Sequence, residues 1–366
     1  MRLVVFFTRG MSLGGWQRAG ILDRELALYR GLLPHLDHLA FVTYGGASEF
    51  AFAPGVPGVE ILPNRWGLPS NLYSVLSPFI HRRALRTATI FKTNQINGAW
   101  SGVIAKRLFG KKLLVRCGYV WSDFVARQHP NNWRHAAALR LERRAFRSAD
   151  VVIVATEADR NTIVTRYGLA ANRVHVNPNY VDTNVFRPMP EIAREPGRVT
   201  FIGRFVEQKN VMALIEAAEG LPDVSLCLIG DGPLRSELEA SAERRRVRVK
   251  FLGRLPQAEL PVLLNRSTVF VLPSHYEGNP KALLEAMACG VPVIGARVPG
   301  IQEILVHGDN GYLCGTSPAE IRAALRDVLG DAALRLRISA GAMAYAREWC
   351  PVEPAVKREL ALLQSL

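Results

Sequence analysis

The sequence predicts an α/β protein built from two doubly wound parallel sheets. Three observations carry that expectation. A chain of 366 residues has the length of two ordinary domains, each large enough for its own core. Apolar, β-branched runs of strand length alternate with helically periodic stretches along the whole chain. Glycine-bearing loops follow several of these runs, where ligands bind in sheets of this kind.

In the first half the strand runs are LVVFFT (3–8), LAFVTY (39–44), TIFKTN (89–94), KLLVRC (112–117) and DVVIVAT (150–156). In the second half they are VTFIG (199–203), SLCLIG (225–230), VKFLG (249–253), TVFVLP (268–273) and VPVIGA (291–296). Helical patterns lie between most pairs, so βα repetition occurs twice over. The loop SLGGW (12–16) after the first run is glycine-rich, which fits either an ordinary βα turn or a close backbone approach to a ligand. No short internal repeat or low-complexity segment is visible.

No apolar run reaches the length that spans a bilayer, and LVVFF is too short for a signal-peptide core, so a cytoplasmic protein is expected. The five cysteines are scattered, with no CxxC or Cys/His ligand spacing, which points to reduced thiols. The net charge of +14 is unevenly placed. Residues 1–175 hold 24 Lys/Arg and 10 Asp/Glu, whereas residues 176–366 hold 22 of each. A basic half suits an anionic membrane or an anionic substrate, and no recognised nucleic-acid motif accompanies it. Two stretches mix arginine with apolar and aromatic residues, at 66–86 and 127–147. Either fits a lipid interface or a helix with its apolar stripe in the core.

Two motifs carry chemistry. In HYEGNPKALLEAMACG (275–290), Glu277 and Gly278 precede a helix expected from about Pro280 to Cys289 and stopped by Gly290. Asn279 is placed to cap it, and Glu285 lies about a turn and a half inside. An anion at that helix start, with a carboxylate on either side for sugar hydroxyls, would make a nucleotide-sugar pocket. The same residues fit a structural helix with Glu285 paired to an arginine. In RVTFIGRFVEQKNVMALIEAAEG (198–220), Gly203 lets the backbone turn, Arg204 offers a planar fork for phosphate oxygens, and Lys209 adds a point charge. Alone, this fits a loop with two solvated cations.

Together, strand–GR–x4–K–helix and E–x7–E resemble the retaining GT-B glycosyltransferases of the family 4 type. VHVNPNYVDTNVFRP (174–188), LIGDGP (228–233), KFLGRL (250–255) and NGYLC (310–314) extend the likeness. It is dense over roughly 174–315 and thin before that. Two departures stand out. Tyr180 replaces the glycine of the family's PNGVD segment, and Cys117-Gly118 stand where many members carry a histidine after the fourth N-terminal strand.

The resemblance implies two Rossmann-like domains facing across a cleft. Residues 1–175, with a crossover helix at 350–366, would bind the acceptor, and residues 176–349 the donor. It implies sugar transfer with retention from a UDP- or GDP-linked sugar to a hydroxyl of a lipid-linked glycan, in cell-surface polysaccharide or lipopolysaccharide synthesis. Arg204 and Lys209 would neutralise the diphosphate, and Glu285 would hold the ribose. Glu277, Gly278 and Asn279 would hold the donor sugar, with Lys281 adding a phosphate contact. Gly14 and Gly15 would approach the donor phosphates or the acceptor, and Arg116 and Tyr119 could take over sugar contacts near the missing histidine. No metal and no cofactor are implied, and the protein would sit peripherally on the inner membrane face. Rival readings are a soluble or anionic acceptor, a phosphorylase or epimerase, and a binding protein on a GT-B frame. A dinucleotide oxidoreductase is disfavoured, because no G-x-G-x-x-G follows the first strand.

Overall fold

The computed structural model describes residues 1–128 and 133–366, with the side chain of residue 128 left aside. They divide into two compact units, residues 1–178 with 355–366, and residues 179–354. The borders fall a few residues later than the sequence suggested. VHV, taken as the start of an interdomain segment, is a strand of the first sheet, and the Asn177 side chain donates to the Ala355 carbonyl at 3.2 Å.

The first unit holds seven strands: β1 (Arg2–Phe6), β2 (His38–Val42), β3 (Val59–Leu62), β4 (Ile90–Thr93), β5 (Lys112–Cys117), β6 (Val151–Val154) and β7 (Val174–Val176). They form one sheet in the order β3-β2-β1-β4-β5-β6-β7, every pair parallel. Its helices are α1 (Leu13–Arg18), α2 (Leu22–Leu32), α3 (Ser70–Ile80), α4 (Arg82–Thr87), α5 (Ala99–Phe109), α6 (Trp121–Gln128), α7 (Trp133–Ser148) and α8 (Glu157–Tyr167). β4 and β6 are buried at every residue, and β6, VVIV, reads as a continuous apolar run for that reason. The sequence pattern shows neither β3 nor β7, and with β3 counted the strand that ends at Cys117 is the fifth rather than the fourth.

The second unit holds β8 (Arg198–Ile202), β9 (Ser225–Ile229), β10 (Val249–Gly253), β11 (Val269–Leu272), β12 (Val293–Ala296) and β13 (Tyr312–Cys314). Their order is β10-β9-β8-β11-β12-β13, again all parallel. The helices are α9 (Val211–Ala218), α10 (Arg235–Arg244), α11 (Leu260–Asn265), α12 (Lys281–Ala288), α13 (Pro299–Gln302), α14 (Pro318–Gly330) and α15 (Ala332–Trp349). NGYLC, matched to a late turn, contains the edge strand β13.

The last helix, α16 (Val352–Gln364), returns to the first unit. A fully buried ion pair, Lys92 on β4 with Glu359 on α16, fastens it. The Lys92 ammonium also lies 4.6 Å from the centre of the Tyr29 ring. Burial holds the Lys92 ammonium below its ordinary value, Glu359 opposes that, and the nearby Arg116 charge adds to it. All five cysteines are free and buried.

Candidate active site

In each sheet the strand order reverses beside the first strand of the unit, between β1 and β4 and between β8 and β11. Loops leaving such a pair diverge and open a crevice at the carboxyl ends of the strands. The residues singled out in the second unit follow β8 and β11, on either side of that point.

The loop after β8 is held by backbone contacts. The Gly203 amide donates to the Ile229 carbonyl and the Phe205 amide to the Asp231 carbonyl, each at 3.0 Å. At Gly230, with φ at +141°, a Cβ would lie 1.8 Å from the Gly203 oxygen. The glycines of LIGDGP therefore fix the backbone that carries Arg204. Arg204 itself is exposed, and its guanidinium makes no hydrogen bond or ion pair among the described residues.

Lys209 ends the short turn Glu207–Lys209, and its ammonium pairs with the Glu277 carboxylate from the loop after β11. The two side chains are 16% and 7% exposed. The sequence had assigned them separate targets, phosphate and sugar, and the fold joins them. The neighbouring backbone explains how. The His275 amide donates to the Gln208 carbonyl at 2.9 Å, and the Gln208 side chain donates to the Tyr276 carbonyl at 2.9 Å. Asn210, at φ +53°, donates to the carbonyls of Pro273 and Thr316 at 3.1 and 2.8 Å. That one side chain draws together the loops after β8, β11 and β13. Neither Gln208 nor Asn210 was legible as a site residue, because their partners lie 63 to 106 positions away.

Asn279 does not cap α12, contrary to expectation. Pro280 occupies the N-cap position and no side chain caps the helix. The Asn279 amide oxygen instead accepts from the Asn179 backbone at 3.0 Å, and its carbonyl accepts from the Asn179 side chain at 2.6 Å. Next to Asn179, the Tyr180 ring lies 5.4 Å below the Lys281 ammonium, so the residue that replaces the family's glycine supports Lys281 by a cation–π contact. Gly278 meets the start of α13, where a Cβ on Gly300 would lie 1.8 Å from the Gly278 oxygen. Glu285 is 2% exposed on α12. Burial, and after it the Glu285 charge, pushes the Cys289 thiol up to about 12. Gly290, at φ +69°, ends the helix as expected. Beside these groups Ser274 is fully buried, and its hydroxyl finds no partner among the described residues.

In the first unit, Gly14 and Gly15 lie in the first turn of α1. Their amides are already engaged. The buried Glu49 carboxylate accepts from Leu13 and Gly14 at 2.8 and 3.0 Å, and the Ser12 hydroxyl accepts from Gly15 at 2.9 Å. A phosphate reaching these amides would have to displace an internal carboxylate. Arg116 is 8% exposed on β5, with its amide donating to the Thr93 hydroxyl at 3.3 Å. Tyr119 is exposed, with its ring 5.7 Å from Phe124. Gly118 donates to the Gln95 side chain at 2.9 Å.

The second unit can therefore gather negative charge. It offers an exposed guanidinium, an ammonium balanced by one carboxylate, and a helix start that no side chain caps. A buried carboxylate lies within the same helix.

Comparison with known proteins bears on both halves. The family model described as Glycosyl transferases group 1 matches residues 182–344, and that described as Glycosyltransferase Family 4 matches residues 26–185. An alpha-maltose-1-phosphate synthase of Mycolicibacterium smegmatis is 34% identical over 194 residues, 47% of this chain and 50% of that protein. The chain thus spans about half the length of the first curated relatives it matches. A GDP-mannose-dependent alpha-(1-6)-phosphatidylinositol monomannoside mannosyltransferase of the same organism is 30% identical over 272 residues, 68% of this chain and 71% of the relative. Among solved structures, Anabaena HepE in complex with UDP-glucose superposes with a TM-score of 0.82 over 100% of both chains, at 22% identity. That likeness is one of fold.

Proposed function

Because the chain belongs to the group 1 glycosyltransferases of family 4, with their GT-B arrangement of two Rossmann-like domains, we propose that it transfers a sugar from a nucleoside diphosphate sugar to an acceptor hydroxyl with retention of configuration. The observation that carries this reading is the set Arg204, Lys209–Glu277 and the uncapped start of α12, placed around one strand-order reversal.

Negative charge grows on the leaving diphosphate as the glycosidic bond breaks. Arg204 meets that charge, and Lys209 joins it when substrate shares or displaces Glu277. Charge stabilisation prepared in advance is usually the largest catalytic term. Glu277 then turns to a hydroxyl of the donor sugar, with Gly278 and Asn279 contributing backbone. Glu285 holds the ribose, and Lys281, supported by Tyr180, sits near the phosphates. Gly14 and Gly15 act by leaving room, since Glu49 and Ser12 hold their amides. Arg116 and Tyr119 are assigned to sugar or acceptor. No metal is required in this scheme, so turnover should survive a chelator.

The GDP-mannose dependence of the mannosyltransferase and the UDP-glucose bound to HepE support a nucleotide-sugar donor without choosing the base. For the acceptor we favour a lipid-linked glycan at the cytoplasmic face of a membrane, within cell-surface polysaccharide or lipopolysaccharide synthesis. The basic excess supports this. The first unit carries 26 Lys/Arg against 11 Asp/Glu, and the second 20 against 21. No helix among the described residues is long and apolar enough to cross a membrane, so association would be peripheral. A thermal-shift screen of UDP, GDP and their sugar conjugates tests the donor. Stabilisation by none of them would overturn the reading.

A further inference from the structure

In the first unit, α3, α5 and α7 line a half-open pocket of about 410 Å³, within the roughly 300–1,000 Å³ of small-molecule sites. Its walls are Val75, Val103, Ile104 and Leu141. Apart from two arginines, its polar groups are largely engaged. The Trp100 indole N–H donates to the Ser74 hydroxyl at 2.8 Å, and that hydroxyl donates to the Asn71 carbonyl at 2.6 Å. The Ser101 hydroxyl takes the Ser74 carbonyl at 2.6 Å. A sugar needs convergent, unspent hydrogen-bonding groups, and the walls between the two arginines of the lining keep few. Hydrocarbon fits it.

Arg107 and Arg144 also line the pocket. Both are exposed and make no ion pair among the described residues. The same helices expose further apolar side chains, Leu72 and Phe79 on α3 and Leu108 on α5. The charge on these helices has one sign. α3, α4, α5 and α7 carry one acidic residue between them, Glu142. It is buried, accepting from the Ser122 amide and the Tyr167 hydroxyl. Arg82, Arg83, Arg86, Arg140 and Arg143 are exposed on the same helices, without ion pairs among the described residues. A partner for this surface must be apolar in one part and anionic in the next.

We propose that the pocket takes one hydrocarbon chain of a phosphate-bearing membrane lipid, with Arg107 and Arg144 on the phosphate. This deepens the membrane-face reading above, on which it rests, and gives that face one defined lipid site within its wider basic surface.

Calorimetry with decyl phosphate below its micelle concentration tests it, beside inorganic phosphate (head alone) and decyl maltoside (chain with a neutral head). Decyl phosphate should bind at least about tenfold more tightly than either. Val75→Trp, at an exposed wall position, and Arg107→Glu with Arg144→Glu should each lose at least about tenfold while circular dichroism and melting stay unchanged. Val75→Trp should still float with anionic vesicles, because it leaves the arginines in place. Equal binding of decyl phosphate by Val75→Trp, or equal binding of either control ligand, would overturn the pocket. So would a concentration-dependent dimer that Val75→Trp abolishes, since a second copy would then be the occupant. Flotation with anionic vesicles but no decyl phosphate binding would sink the pocket and spare the membrane reading. Decyl phosphate binding without flotation would support the pocket and remove the membrane reading.

Discussion

In the second unit, 20 Lys/Arg stand against 21 Asp/Glu, and the charges that matter sit in two loops drawn together by backbone hydrogen bonds. In the first, 26 stand against 11, and exposed arginines lie along helices that are far apart in sequence. A loop site built on one strand-order reversal holds a few charges to fixed positions, as chemistry on a diphosphate requires. Charge spread over helix surfaces fixes no single geometry but suits an extended anionic surface. On the proposed reading the two units use basic residues for opposite ends, one to position and one to attract.

The largest test strikes the positioning side. Arg204→Ala and Lys209→Ala should each lower turnover by about two orders of magnitude or more, on the scale of roughly 3–4 kcal/mol for a donor aimed at developing charge. Their effects on stability should differ. Arg204 is exposed and unpaired among the described residues, so its loss should leave melting unchanged. Removing Lys209 strands a Glu277 side chain only 7% exposed, so melting should fall. Steady-state kinetics with calorimetric melting checks both, and near-normal turnover in either variant cancels its assigned role.

The next test strikes the attracting side. Replacing Arg82, Arg83 and Arg86 by alanine, or Arg140, Arg143 and Arg144, should weaken flotation with anionic vesicles by roughly tenfold or more for at least one set, at about 1 kcal/mol per residue near the surface. Binding should fall with salt, be weak to neutral vesicles, and leave UDP or GDP binding intact. Equal binding to anionic and neutral vesicles would collapse the contrast between the units and leave an anionic soluble acceptor to account for the charge.

How far the sequence reached follows the same division. Central strands such as β6 and β11 are buried throughout and read as unbroken apolar runs, and β4 and β8 read as strands although each carries a basic residue. The strands it missed, β3, β7 and β13, are short and lie at sheet edges, with partly exposed residues in each. The loop motifs around Arg204 and Glu277 were legible because each is contiguous. What tunes them was not. The Lys209–Glu277 pair spans 68 positions, the Asn279–Asn179 contact that removes the expected cap spans 100, and Glu49 reaches Gly14 across 35. The pocket under α3, α5 and α7 draws on residues from 71 to 145, so no local pattern announces it. The basic stretch at 127–147 lies mostly in α6 and α7, with its residues 129–132 outside the described ones.

Within the second unit a finer contrast separates the carboxylates. Glu285, buried inside α12, is assigned to the ribose, and Glu277, paired with Lys209, to the sugar. Glu285→Ala should weaken binding of the free nucleoside diphosphate by roughly tenfold, the worth of a hydrogen bond to a charged group. Glu277→Ala should spare that binding and damage transfer. Titration calorimetry decides, and an equal loss in both variants would merge the two roles.

The smallest effect concerns acid and belongs to the first unit. His81, at the junction of α3 and α4, accepts or shares a hydrogen bond with the Tyr73 hydroxyl at 2.8 Å. Burial, and after it the Arg65 charge, lowers its pKa from 6.5 to about 4. The folded form therefore resists a proton that the unfolded chain takes up near its ordinary value. Stability is full above about pH 6.5 and drains away as pH falls toward 4, because over that window the unfolded state binds more protons. Tyr73 faces the ring, and the Arg65 charge reinforces the trend. Hydrogen exchange should lose protection in α3 and α4 across this window before the strands of the second unit respond. His81→Gln, which keeps an acceptor for Tyr73 but cannot take the proton, should flatten the dependence. If the slope between pH 4 and 6.5 persists in that variant, the acid sensitivity belongs to another group, and the junction beneath the arginine-rich helices is not where acid loosens the protein.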